Sequence, residues 1–214
     1  MDPAAYDAWY DTRRGRWIGE TEFKLARQLL APLPGETVLD VGCGTGWFTR
    51  RFAAAGMRLT GLDPNAAWLN YARIHSDPDI FWVEGDAQRL PFREQQFDYA
   101  VSIAALCFID DERTPLAEIV RVTRRRFAVG WLNRGSLLYR EKAGQGAYAG
   151  ARWHTATEVR ALFEGLPVSN LIIRSTVFIP AGGFVARVTE RVLSSRFPVG
   201  ALLIAAGEPI RAVE

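Results

Sequence analysis

An aspartate followed by three alternating glycines is the first place in this chain where residue type and spacing could do chemistry. The apolar pair Val38-Leu39 leads into Asp40, and Val41-Gly42-Cys43-Gly44-Thr45-Gly46-Trp47 follows. Glycine lacks a Cβ, so a turn there can take positive φ and bring backbone N–H groups against a ligand. A strand feeding such a turn into a helix N-terminus opens a nucleotide-binding βαβ unit. The spacing then selects among nucleotides. Dinucleotide sites favour Gly-x-Gly-x-x-Gly, whereas here the third glycine comes one residue early and Trp47 stands where a glycine is wanted. A bulky indole there argues against a pyrophosphate. Further on, at the distance of roughly 20 residues where a ribose-binding acid is expected, the strand candidate 57–62 runs into Asp63-Pro64. Two carboxylate oxygens can accept from both ribose hydroxyls at once.

Two more segments follow in order. Ile80-Phe81-Trp82-Val83 leads to Glu84-Gly85-Asp86-Ala87, and Phe97 to Ala104 reads as a fourth strand. Together the four motifs resemble the class I S-adenosylmethionine-dependent methyltransferases of the small-molecule type. The resemblance implies S-adenosylmethionine as cofactor and S-adenosylhomocysteine as product. It also implies a role for each matching position. The backbone of Gly42, Cys43 and Gly44 lies along the ligand, and Asp63 with Pro64 meets the ribose. Asp86 accepts from the adenine amino group, and the backbone of Ala87 meets the ring. Asp40 and the carbonyls near Ile103 and Ala104 face the methionine ammonium. For Asp63 and Asp86, a helix cap or a loop acid is the structural alternative.

Ahead of the glycine loop, residues 6–17 are dense in aromatics and arginine. Two readings stand for this arm, a hydrophobic cap on the sheet or a lid over cofactor and substrate. In similar methyltransferases such a segment covers the ligand, which makes Tyr10 and Trp17 cofactor-side candidates. Apolar positions at Phe23, Ala26, Leu29 and Leu30 predict a helix over Glu20 to Leu30, which Pro32 and Pro34 stop. From Thr37 strands and helices alternate, the pattern of a parallel sheet with helices on both faces. The strands are expected at 37–41, 57–62, 79–84, 97–103 and 126–132. The helices between them are expected at Trp47 to Ala55, Ala66 to His75 and Asp111 to Val122. Where many family members turn through Pro-Gly-Gly before the fifth strand, this chain carries Arg121, Arg124, Arg125 and Arg126. Those arginines read either as a solvated face or as a contact for an acidic partner.

Asn133 to Gly150 holds four glycines and no strong periodicity, so a mobile loop is expected there, bordering the methyl acceptor. Thr155-x-x-Glu158 reads as a capping box that opens a helix. A β-rich run at 170–179, a helix within 181–197 and a last strand at 199–205 complete the chain. The expected fold is Rossmann-like, a doubly wound α/β sheet of about seven strands. It is mostly parallel with the last strand antiparallel, and helices cover both faces. A single domain over residues 1–214 is expected. It divides into an arm and helix (1–31), a nucleotide-binding core (36–132), a glycine-rich loop (133–153) and a C-terminal part (154–214).

Composition narrows the partners. A net charge of +2 gives no global drive toward nucleic acid. The longest mostly apolar stretch, Tyr99 to Ile109, is far short of the ~20 residues that a membrane-spanning helix needs. The start Met1-Asp2-Pro3 resembles no secretory signal, and two cysteines make no disulfide framework. The expectation is a cytoplasmic protein, monomer or homodimer, with neither nucleic-acid nor membrane partner.

Methyl transfer from a sulfonium is a direct displacement, so holding the acceptor in line and excluding water carry much of the rate. It needs no metal, and no catalytic residue is assigned. His154 and Trp153, just after the glycine-rich loop, are the substrate-side candidates, with His154 either a base or a helix-entry residue. His75 ends a helix and reads as structural. Trp9, Trp17, Trp131, Trp153 and Tyr148 either line an acceptor pocket or belong to the core. The favoured reading is methyl transfer to a small molecule at O or N. Two alternatives remain: a protein that holds S-adenosylmethionine without turnover, and an NAD(P)-dependent oxidoreductase sharing the strand–loop–helix start.

Overall fold

The protein is described by a computed structural model covering residues 2–211. Residues 1 and 212–214, the outermost positions of the expected arm and C-terminal part, lie outside the described residues. Seven strands form one sheet: β1 (Thr37–Val41), β2 (Arg58–Asp63), β3 (Phe81–Glu84), β4 (Phe97–Ile103), β5 (Thr123–Leu132), β6 (Val168–Thr176) and β7 (Leu202–Pro209). Their spatial order is β3-β2-β1-β4-β5-β7-β6. The first five run parallel, while β7 is antiparallel to both β5 and β6. Eight α-helices connect them: α1 (Pro3–Trp9), α2 (Arg13–Leu30), α3 (Trp47–Ala54), α4 (Ala66–Ile74), α5 (Arg113–Val122), α6 (Leu137–Lys142), α7 (Ala156–Leu162) and α8 (Phe184–Val192).

Side chains alternate across a strand, and this sheet is apolar on both faces. Leu39, Ala100, Phe127, Val129 and Leu203 pack on one side with Leu116 and Ile119 of α5 and Val159 of α7. Val38, Val101, Ala128, Leu202 and Ile204 pack on the other with Leu25, Ala26, Leu29 and Leu30 of α2 and Phe52 of α3. Two helix layers over one sheet are therefore dictated by the run of apolar residues in β1, β4, β5 and β7.

Several boundaries differ from the sequence expectation. Helix α2 begins at Arg13 rather than Glu20, because the Thr12 side chain caps it by accepting the Gly15 N–H at 2.9 Å. Strand β5 starts at Thr123, straight out of α5, with no intervening loop. Thr123 Oγ1 donates to the Ile119 carbonyl at 2.6 Å and ends the helix there. The basic run ends α5 and opens β5, with each arginine paired within the chain: Arg121 of α5 meets Glu118, and Arg124, Arg125 and Arg126 of β5 meet Asp98, Glu36 and Glu208. The glycine-rich stretch is not structureless, since Ser136 caps α6 and a 3-10 turn spans Gly146–Tyr148. The helix expected within 181–197 is confined to α8, and the last strand lies three to four residues later than expected. The capping box opening α7 is present as expected, with Thr155 and Glu158 each accepting the other's backbone N–H.

Candidate functional site

The carboxyl ends of β1 to β4 lie side by side, with β2 and β3 built out on one side of β1 and β4 on the other, so the strand order reverses there. Open α/β sheets bind ligands in the crevice at that reversal. The glycine loop turns over it. Gly42 has φ 71°, and a Cβ there would come within 2.4 Å of Ala105 Cβ beyond β4. Only glycine lets the two strand ends approach so closely. Gly44 has φ 55°, with the Trp68 ring 3.2 Å from where its Cβ would sit.

Asp63 reaches across from the end of β2. Its Oδ2 accepts the Gly44 N–H and its Oδ1 the Asn65 N–H, both at 2.9 Å. Burial raises this carboxyl above its usual range, against the pull of those two N–H groups. Each oxygen retains a second lone pair. Asn65, not Asp63, is the side chain that caps α4, and Pro64 is exposed beside it. Asp40 is 2% exposed and accepts from Thr49 Oγ1 at 2.6 Å. Burial lifts its pKa to about 7, the Thr49 hydroxyl opposing and the Asp63 charge adding to the rise. Cys43 is buried in the loop, its thiol pushed well up by that burial. Asp86 is exposed, accepting the Gln88 N–H at 2.9 Å, and Ala87 beside it is buried. At the end of β4, Ile103 is followed by Ala104 at φ 51°, whose carbonyl accepts the Cys107 thiol at 3.3 Å.

The N-terminal arm lies over this loop. Asp7 of α1 accepts from Thr45 Oγ1 at 2.7 Å and from Arg50 Nη2 at 2.9 and 3.1 Å. The Tyr6 ring lies 4.9 Å from that of Trp68, which itself covers Gly44. Tyr10 stacks on Trp47 at 4.3 Å, and the Arg51 guanidinium lies 3.5 Å over the same indole. The residue whose bulk argued against a pyrophosphate is thus the anvil on which the arm rests. Trp17 is placed elsewhere. It packs against Gly182 and lines an outer depression of about 500 Å³ with Asp11, Arg13, Arg16, Glu20 and Arg187.

On the other side of the crevice, His154 Nε2 lies 2.9 Å from Glu112 Oε1, and Glu112 Oε2 accepts Trp131 Nε1–H at 2.8 Å. Glu112 is 4% exposed and Trp131 wholly buried. His154 therefore shares a buried carboxylate with a core tryptophan. Its neighbour Trp153 is 8% exposed between Tyr139 and Tyr148, and its Nε1–H has no partner in the structure. His75 Nδ1 lies 2.8 Å from the Tyr71 carbonyl at the end of α4.

Sequence reasoning missed Glu22. Glu22 is half-buried on α2. Burial drives its pKa to about 8, and the charge of Glu190 adds to this. Burial also raises the phenols of Tyr6, Tyr10 and Tyr148, the last to about 12, and the Glu22 charge raises all three further. The pattern did hold a signal. Ile18, Gly19, Leu25 and Ala26, three and four positions to either side of Glu22 on α2, are all buried. An acid at the centre of a buried helix face is aimed at something. Asp7 and Tyr6 were likewise passed over, because nothing in their spacing announces a contact with Arg50 or Trp68.

Residues 39–126 match a family model described as a methyltransferase domain. An uncharacterized protein of Mycobacterium tuberculosis is 35% identical over 193 residues, covering 85% of this chain and 63% of that protein. The chain thus spans under two thirds of that relative's length. A malonyl-[acyl-carrier protein] O-methyltransferase of Pectobacterium atrosepticum is 40% identical over 110 residues, 50% of this chain and 43% of that one. Among solved structures, a SAM-dependent methyltransferase of Thermotoga maritima, possible histamine N-methyltransferase, superposes with a TM-score of 0.74. It is 22% identical, and the alignment covers 96% of this chain and 95% of that one.

Proposed function

We propose, from the methyltransferase-domain model that residues 39–126 match and from the class I methyltransferase fold, that the chain moves a methyl group from S-adenosylmethionine to a small-molecule acceptor at O or N. The observation that carries this reading is the acid lining of the glycine loop. Asp40, Asp63 and Asp86 stand in succession at the ends of β1, β2 and β3. Acceptor oxygens in that order suit an ammonium, a ribose and an exocyclic amine. The early third glycine, and Trp47 where the dinucleotide pattern places a glycine, disfavour the oxidoreductase alternative.

When bound, S-adenosylmethionine supplies a methyl group on a sulfonium that is already an activated leaving group. The residues of the chain have the remaining work. Asp63 holds the loop through Gly44 and offers its spare lone pairs to the ribose hydroxyls. Asp40, close to half ionised near neutrality, completes its charge when a cationic group approaches. Tyr6 and Tyr10, fastened over the loop through Asp7 and Trp47, exclude water from the reacting atoms. The acceptor binds where Trp153 and Tyr148 pack together, within reach of the Glu22 charge. There the unpartnered Trp153 N–H donates to it, and Glu22, with a pKa near the working pH, takes the proton it gives up. His154 acts as a strut to Glu112 rather than as the base.

The test compares melting temperatures with S-adenosylhomocysteine, S-adenosylmethionine and NADH. A ligand at ~100 times its dissociation constant adds about 2.7 kcal/mol, which raises the melting point by roughly 5–10 °C at this size. A rise with the two sulfur nucleotides, absent with NADH and absent in Asp63→Ala, is expected. A rise with NADH alone overturns the reading.

A further inference from the structure

Half of the exposed large apolar side chains among the described residues are gathered in one place. Of the fourteen large apolar side chains left exposed among the described residues, seven fall between Phe184 and Val199, on α8 and the segment after it. Phe184 is 81% exposed, Val192 77%, Val185 66% and Phe197 55%. Only Ala186 of α8 is buried. Isolated exposed apolar residues need no explanation, but a contiguous group does.

The charges interleaved with them are one-signed. Arg187, Arg191 and Arg196 all lie exposed in the same stretch. The only acid there, Glu190, is turned inward. Its carboxylate accepts from Thr176 Oγ1 at 2.6 Å and from the Val177 and Phe178 N–H groups at 3.1 Å. Those bonds pin α8 to the body by its polar side and leave the apolar side facing out. Soluble helices do the reverse. The cationic surface continues onto α2, since Arg187 shares the outer depression with Arg13 and Arg16. The acids of that depression are engaged, Asp11 with Arg16 at 3.8 Å and Glu20 with Arg51 at 2.6 Å.

We propose that α8 and the segment to Val199 form a peripheral docking surface for an anionic lipid bilayer. An apolar face flanked by arginines is the chemistry of a helix lying in the membrane interface, with rings and branched chains among the acyl groups and guanidinium groups at the phosphates. Anionic headgroups above acyl chains offer both partners within one helix diameter of depth. An acidic protein face offers only the charge. This departs from the expectation of no membrane partner, which rested on helix length. No helix among the described residues is long and apolar enough to cross a bilayer, yet crossing and lying on the surface are different demands.

The experiment is co-sedimentation of the whole protein with phosphatidylcholine vesicles and with vesicles of equal phosphatidylcholine and phosphatidylglycerol, at physiological ionic strength. Uptake by the anionic vesicles alone is expected. Arg187→Gln with Arg191→Gln lowers that partitioning roughly 30-fold, from the attraction of each arginine to an anionic surface. Phe184→Ser with Val192→Ser lowers it on the order of 100-fold, while their melting temperature stays that of the wild type because both positions are exposed. Equal uptake by the two vesicle types overturns the proposal, as does no uptake by either. In the latter case, a concentration-dependent dimer abolished by Phe184→Ser and Val192→Ser reassigns the face to a second copy of the chain. A monomer leaves it to an acidic protein surface.

Discussion

Replacing Asp40 by asparagine should make the unliganded protein less sensitive to alkaline pH. The asparagine oxygen still accepts from Thr49 Oγ1, which bonds Asp40 at 2.6 Å, so shape and hydrogen bond are kept and only the titration is removed. In the wild type, burial lifts the Asp40 carboxyl from its ordinary 3.8 to about 7. Between those values the unfolded chain has released its proton while the folded chain retains it. Stability contributed by the neutral form is full below pH ~3.8 and is lost as pH rises toward ~7, at about 1.4 kcal/mol per unit. From pH 5.5 to 8.5 this group alone therefore removes roughly 2 kcal/mol, or about 4–8 °C of melting temperature for a chain of this length. Glu22, with its own pKa raised to about 8, adds a slope common to both proteins and drops out of the comparison. The assay is thermal melting of wild type and Asp40→Asn without ligand at both pH values, with the gap between them widening in favour of the variant at pH 8.5. Parallel curves would refute the reasoning, because a carboxylate that costs nothing to ionise is not buried beside the glycine loop in the way described.

Three further outcomes follow from single contacts. Asp7→Ala removes the bidentate Arg50 pair, whose side chains are only 20% and 16% exposed, and should loosen the arm by about 2 kcal/mol. Trypsin should then cut at Arg13, Arg14 or Arg16 several times faster below the melting point, and unchanged nicking would mean that the arm is held by its aromatic stacking alone. Glu22→Gln should lower kcat on an acceptor found by screening by about 10²-fold or more. Its affinity for S-adenosylhomocysteine should stay the same, and undiminished turnover removes Glu22 from the chemistry. His154→Ala strands the buried Glu112 and should cost about 2 kcal/mol, a melting point lower by roughly 4–8 °C. Turnover per folded molecule should be unchanged, and a selective loss of turnover would restore His154 as a base.

The parts of this protein written in local sequence were legible, and those written in contacts between distant residues were not. Strand β1 and its glycine turn, the acid at the end of β2 and the Thr155–Glu158 box each depend on residues within a few positions of one another. The order of four such motifs was enough to identify the sheet. The start of α2 was missed because Gly15 lowers helix propensity, while its compensation, the Thr12 cap, is a single side chain. Strand β5 was read too short because a run of arginines looks like a solvated face rather than a paired strand. Its partners Asp98, Glu36 and Glu208 come from three separate segments. The short α6 has too few turns to show a period. In the site, Asp63 was visible by position, but its bond to Gly44 was not. Glu22 was hidden because one acid on a helix ordinarily means the wet face, and only the burial of its neighbours reveals the opposite.

The placement of β7 has a consequence for how the chain is assembled in time. It is the last of the seven strands in sequence, yet it lies between β5 and β6 and is hydrogen-bonded to both. Until it arrives, β5 presents a full unpaired edge and β6 has no partner in the sheet. A nascent chain that has emerged as far as α8 therefore carries the open edge of β5 and an unpaired β6, which are templates for pairing with another chain. The sheet closes only when the segment from Leu202 to Pro209 slots in, burying Leu202, Leu203 and Ile204 on both faces at once. Synthesis that stalls in the loop before β7 would leave an aggregation-prone intermediate, whereas completion of one eight-residue strand pairs the edge of β5 and the inner edge of β6 together, leaving β6 as the outer strand of the sheet.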